Sequence, residues 1–146
     1  MGKYDRHFIC QDKAILKLPE YRHDIDKKRA HRIVYLDNEV FPGSDLYVEA
    51  LWFWPRKIPP RQPGDEPGVK AHSHPFDEAI AFMGTNWDDI HDLGGEIELW
   101  IGGEQHIINK SFYAFIPAGL VHCPLNILRI DRPIFHFTAG PTKQYI

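Results

Sequence analysis

No stretch of this chain shows a sustained helical period, whereas several alternate with a period of two. In "DLYVEALWFW", residues 45–54, Leu46, Val48, Ala50, Trp52 and Trp54 share one face of a strand while Tyr47, Glu49, Leu51 and Phe53 share the other. Both faces are largely apolar, which predicts a strand covered on both sides. "RIVYLD" before it and "GGEIELWIGGEQHIIN", "SFYAFIPAG" and "NILRIDRPIFHFTAG" after it are short runs of apolar and aromatic residues cut off by Gly, Pro or Asn. The Gly-Gly inside "IELWIGGEQHII" marks a tight hairpin. The expected fold class is all-β, with many short strands closed into a sandwich or a small barrel.

Two stretches break the pattern. Residues 1–32 are polar and mixed in charge, and their one basic run, "DIDKKRAHR", reads as a solvated face or arm. "PRKIPPRQPGDEPG" is too rich in proline and glycine for a helix or a central strand, so it is expected to be a long surface loop within one domain.

Composition narrows the function classes. A chain of 146 residues makes about one domain and needs no staple to fold. Its formal charge of -3, with acidic and basic residues interspersed, leaves no basic field for nucleic acid. The two cysteines, an opening without an apolar h-region and the lack of any membrane-length apolar stretch lead us to expect a cytoplasmic protein with reduced thiols. Nine histidines are many for this length.

The most informative of them lie in "VKAHSHPFDEAI". On a helix His72 and His74 would point about 200° apart, but on a strand they face the same way, about 6.6 Å apart, and can chelate one ion. Pro75 excludes a helix interior and bends the strand, which lets Glu78 return to the same face. Two imidazoles and a carboxylate suit Mn, Fe, Co, Ni or Zn better than Ca or Mg. Downstream, "PAGLVHCPLN" supplies His122 after a turn in which Gly119 permits positive φ. Cys123 is expected on the opposite face of an extended strand and is not counted as a ligand.

These two stretches resemble the metal-binding motifs of the cupin superfamily. "HSHPFDE" is similar to the first motif, H-x-H followed after three residues by Glu, with Gly68 and Gly84 bracketing it. "PAGLVHCPLN" is similar to the second, P-x-G-x-x-H-x-x-x-N. Ser111 stands where the second motif usually opens with glycine, and Gly84 comes one residue early. The resemblance implies a single-domain cupin with a double-stranded β-helix (jelly-roll) barrel over residues 45–146, on which an arm and first strands from residues 1–44 pack. It also implies one divalent transition metal ion (Fe, Mn, Ni, Co or Zn) held by His72, His74, Glu78 and His122.

Around that ion, Glu78 and His136 are the candidate proton donors or acceptors, with Tyr113, Glu49 and Arg56 as further candidates for substrate contact. The insertion "GTNWDDIHDLGG" is either a solvated loop or a lid at the barrel mouth. Trp52 and Trp54 form either a wall for a planar substrate or part of a homodimer interface, and the dimer is the preferred reading. Four protein ligands leave one or two positions open, which favours chemistry on a small chelating substrate. Oxygen activation and Lewis-acid chemistry of the isomerase, lyase or decarboxylase kind both fit, and a binding or sensing barrel without turnover is the alternative.

Overall fold

The computed structural model describes residues 2–146, and among them there is no α-helix, only the 3-10 turn Asp5–His7. Eight strands follow: β1 (Ala30–Leu36), β2 (Tyr47–Phe53), β3 (Glu78–Met83), β4 (Asp92–Ile101), β5 (Glu104–Lys110), β6 (Phe112–Ile116), β7 (His122–Ile130) and β8 (Ile134–Gly140). They make two antiparallel sheets, of order β1-β2-β8-β3-β6 and β5-β4-β7. The all-β expectation holds.

Local sequence accounts for the main breaks. Gly102 and Gly103 take φ of 57° and 80° between β4 and β5, the positive values that a two-residue hairpin turn requires. "NILRIDRPIFHFTAG" divides at Asp131–Pro133 into β7 and β8, which lie in different sheets. The proline-rich stretch and the residues just after it make only isolated bridges, Arg56 to Ile130, Val69 to Leu125 and His72 to His122 along β7, and Val69 to Arg22 of the arm. It runs as a broken neighbour of β7 because its prolines cannot donate to a regular ladder.

Ile80, Phe82, Leu93, Ile97, Ile116, Ile130 and Ile134 come from both sheets and pack into one buried cluster. Each such side chain contributes about 1.5–3 kcal/mol when fully buried. On β2 the inward face is Tyr47, Glu49 and Leu51, all at most 3% exposed, while Trp54 on the other face is 37% exposed. Within β2, however, Ala50 on that face is buried and Val48 and Trp52 are half-buried, so the expectation of cover on both sides holds fully for one face and in part for the other. Its outward face continues into Phe135 and Phe137 on β8 and Tyr113 and Phe115 on β6, an aromatic sheet exterior. No helix among the described residues is long and apolar enough to cross a membrane.

Candidate metal centre

The inward face of β3 reads Glu78, Ile80, Phe82, so one strand passes from the apolar cluster to a polar end within four residues. There Glu78 meets His74 and His122, and the His72 ring lies against both of theirs. The His72 and His122 backbones form a reciprocal antiparallel pair, with N–H to O distances of 3.0 and 2.9 Å, which sets their side chains beside one another. Gly119, at φ 84°, donates its N–H to the His74 carbonyl at 2.7 Å and ties the second motif to the first. Asn126, the last residue of the second motif, accepts the Gly68 N–H at 2.9 Å and donates to Glu98 at 2.8 Å.

Each of the three rings has its Nδ1 against a backbone oxygen: His72 with Lys70 at 2.6 Å, His122 with Leu120 at 3.0 Å, and His74 with Ile146. A carbonyl only accepts, so Nδ1 carries the proton in each ring and a neutral imidazole turns a bare Nε2 lone pair inward. His72 Nε2 lies 3.0 Å from His74 Nε2, His74 Nε2 lies 3.5 Å from Glu78 Oε2, and His122 Nε2 lies 3.2 Å from Glu78 Oε1. Although Glu78 is within ion-pair distance, His122 Nε2 is buried without a hydrogen bond of acceptable geometry. Burial pushes His72 down to about 4, more than its hydrogen bond to Lys70 can offset, and lowers His74 more than Glu78 and the hydrogen bond to Ile146 can offset. Burial acts on His122 the same way, but the Glu78 carboxylate outweighs it and raises this one imidazole.

The result is a cluster of acceptors facing acceptors. A proton shared between His122 and Glu78 relieves part of the repulsion, but only a multivalent cation satisfies all the lone pairs at once. The donor atoms of His74, Glu78 and His122 lie within 4.8 Å of one another, as a shared ion requires. The residues fit a divalent metal.

No protein-family model and no curated protein matches the chain. Solved structures do. The DMSP lyase DddQ from Ruegeria pomeroyi aligns with a TM-score of 0.50 at 18% identity, covering 94% of this chain and 58% of that one. A double-stranded β-helix protein from Klebsiella pneumoniae aligns at 0.47 and 16%, covering 91% and 93% of the two chains. Oxalate oxidase in complex with glycolate aligns at 0.49 and 14%, covering 94% and 75%. This chain has the cupin fold.

At its histidine end the barrel opens into a cavity of about 700 Å³. Leu51, Phe53, Ile80 and Phe82 line it on one side and Leu125 and Ile127 on the other. His136 lines it too, but belongs to neither group of donor atoms that could hold an ion. Its Nδ1 donates to the Ala81 carbonyl at 2.7 Å, its ring stacks on Phe82 at 4.1 Å, and burial pushes it down to about 4. It is therefore a neutral acceptor at pH 7. Arg56 lines the cavity, whereas Tyr113, 70% exposed on the outer sheet face, cannot contact a substrate inside.

Glu49 points inward but is taken up by the protein itself. Arg22 Nη1 and the Tyr47 hydroxyl both donate to it at 2.7 Å. The arm supplying Arg22 also lays the Tyr21 ring flat on His72, 3.6 Å away and 6° from parallel. Tyr145 packs against Tyr21 and His74 from the C-terminal side. The basic run is mostly solvated, as expected, except at Ala30, which is buried, and Arg32, whose side chain is 6% exposed and bonded to Asp12 at 2.6 Å; Tyr21 and Arg22, just before it, are half-buried. Nothing in the local pattern marks these residues, because their partners lie tens of residues away.

Two further expectations change. None of residues 84–95 lines the cavity, so the lid reading fails. Ser111 holds that loop down, accepting the Gly84 N–H and donating to the Ile90 carbonyl, both at 2.9 Å, which also explains a serine at that position. Gly84 is needed there, since a Cβ would come within 2.0 Å of the Asp92 carbonyl oxygen. Cys123 is not extended but at φ 70°, and its sulfur lies within 4.8 Å of donor atoms of His72 and His122. Burial, with Glu78 adding to it, pushes this thiol up to about 12.

Proposed function

We propose that this protein is a divalent-metal-dependent cupin enzyme acting on a small metal-chelating organic substrate. The ion is held by His72, His74, Glu78 and His122. The observation that supports this most directly is the convergence of three imidazole Nε2 atoms, each ring anchored through Nδ1 on a backbone oxygen, with the Glu78 carboxylate. When bound, the ion supplies Lewis-acid polarisation of a carbonyl or carboxylate or, if redox-active, a route for electrons to oxygen.

The chain's own residues do the rest. The three Nδ1 hydrogen bonds fix ring orientation, and the Tyr21 ring shields one side of His72 from water. The cavity is the size of a small-molecule site, and its apolar wall excludes bulk solvent from the reacting group. Glu78, between two imidazoles, and neutral His136 are the groups able to take a proton from substrate, at the metal and deeper in the barrel respectively. The aromatic exterior of the larger sheet, including Tyr113 and Phe115, fits a second copy of the chain and supports a homodimer.

The test is turnover of chelating 2-hydroxy and 2-oxo acids and enediols by the metal-loaded protein, with and without oxygen. Turnover that disappears in a His136→Ala variant of unchanged metal content supports the assignment of the cavity. Tight binding of such compounds with no product under either atmosphere would overturn the enzyme reading and leave a binding barrel.

A further inference from the structure

The cavity wall holds one group that the four-ligand centre does not use, the thiol of Cys123. It is 6% exposed, and it is the one residue other than glycine with positive φ among those described. Such a backbone costs a non-glycine residue about 1–3 kcal/mol and persists where the surrounding structure holds it. An extended residue here would send its side chain away from the His122 face. The positive φ instead brings sulfur within 4.8 Å of donor atoms of His72 and His122. His122, 1% exposed with an unpartnered Nε2, belongs to this group and to the His74 and Glu78 group alike.

We infer that Cys123 is a further metal-contact residue, which adds a sulfur donor beside His72 and His122 to the four-residue centre and so favours softer ions. This rests on the metal-centre reading above. On binding, the S–H bond breaks, the proton leaves to solvent and sulfur donates an electron pair to the ion, with no change of oxidation state. Thiolate contact selects Zn²⁺ and Co²⁺ over Mn²⁺, which the nitrogen and oxygen set alone does not do as strongly. The ion preference of this protein is then set in part by a residue outside the two histidine motifs.

Cobalt reports the contact directly. The full chain carrying Cys10→Ser, which removes the exposed second cysteine, is loaded with Co²⁺ under anoxia and its absorption recorded. The inference predicts visible ligand-field bands together with a near-ultraviolet thiolate-to-cobalt charge-transfer band. Adding Cys123→Ser should abolish the charge-transfer band, keep the ligand-field bands and reduce the preference for Zn²⁺ over Mn²⁺ on the order of tenfold. Ligand-field bands without charge transfer in the protein retaining Cys123 would overturn the inference and leave the metal centre standing. Absence of all cobalt bands would overturn both. The first spectrum decides even if the Cys123 variant does not fold.

Discussion

The two ends of the barrel are built by the same strands and are opposite in character. At one end Leu93, Ile97 and Ile134 are fully buried and every group finds an apolar neighbour. At the other, two residues along β3 and a few along β7, the same inward positions hold Glu78 and His122, equally buried and facing acceptors. The dry end stabilises the fold by burial alone. The wet end is costly as it stands and becomes favourable only when a cation, a proton or a metal, joins it. Beside it the Arg22 and Glu49 pair shows what a satisfied buried charge looks like.

The largest effect is expected from breaking that pair. Arg22→Met strands Glu49, which is 2% exposed, and should cost about 3–5 kcal/mol in urea unfolding. Burial would raise the Glu49 pKa, but Arg22 outweighs it and the folded-state value lies below the ordinary one. The native state thus holds this proton less readily than the unfolded chain. The stabilisation is complete above the unfolded value of about 4.3 and is lost as pH falls through the folded one. The variant should lose most of that acid slope.

At the dry end, Leu93→Ala should cost about 2–5 kcal/mol while metal affinity, measured by calorimetry, stays unchanged. A parallel loss of affinity would mean that the two ends are not separable. A divalent ion at about 100 times its Kd should add about 2.7 kcal/mol to stability. Glu78→Gln tests the wet end more finely. The introduced amide can donate to the orphaned His122 Nε2, so at alkaline pH the metal-free protein should gain about 1 kcal/mol while the gain from metal shrinks. The smallest effect on stability, within about 0.5 kcal/mol, is expected from Phe115→Ser on the outer sheet face. Light scattering should nonetheless show the proposed dimer weakened, and an unchanged mass would remove this face from that proposal.

Much of this was legible in the sequence where the signal is local. The hairpin at Gly102–Gly103, the turn at Gly119 and the spacing of His72, His74 and Glu78 follow from short-range backbone rules, whereas His122 was joined to them by the resemblance of the second stretch. What escaped depends on distant partners. Arg22 is half-buried because Glu49, on a strand 27 residues later, is buried opposite it. Cys123 turns inward because of one backbone torsion, which strand alternation does not encode. The face of β2 that points inward was undecidable from apolarity alone, since Trp52 and Trp54 are as hydrophobic as Leu51 and Phe53.

Elemental analysis of the purified, untagged protein beside His122→Ala tests the central claim most directly, because His122 belongs to every donor group at the site. About one equivalent of a divalent transition metal is expected in the wild type, retained on dialysis, and none in the variant. Equal metal in both proteins, or none in the wild type after reloading with each of Fe, Mn, Co, Ni and Zn, would contradict it.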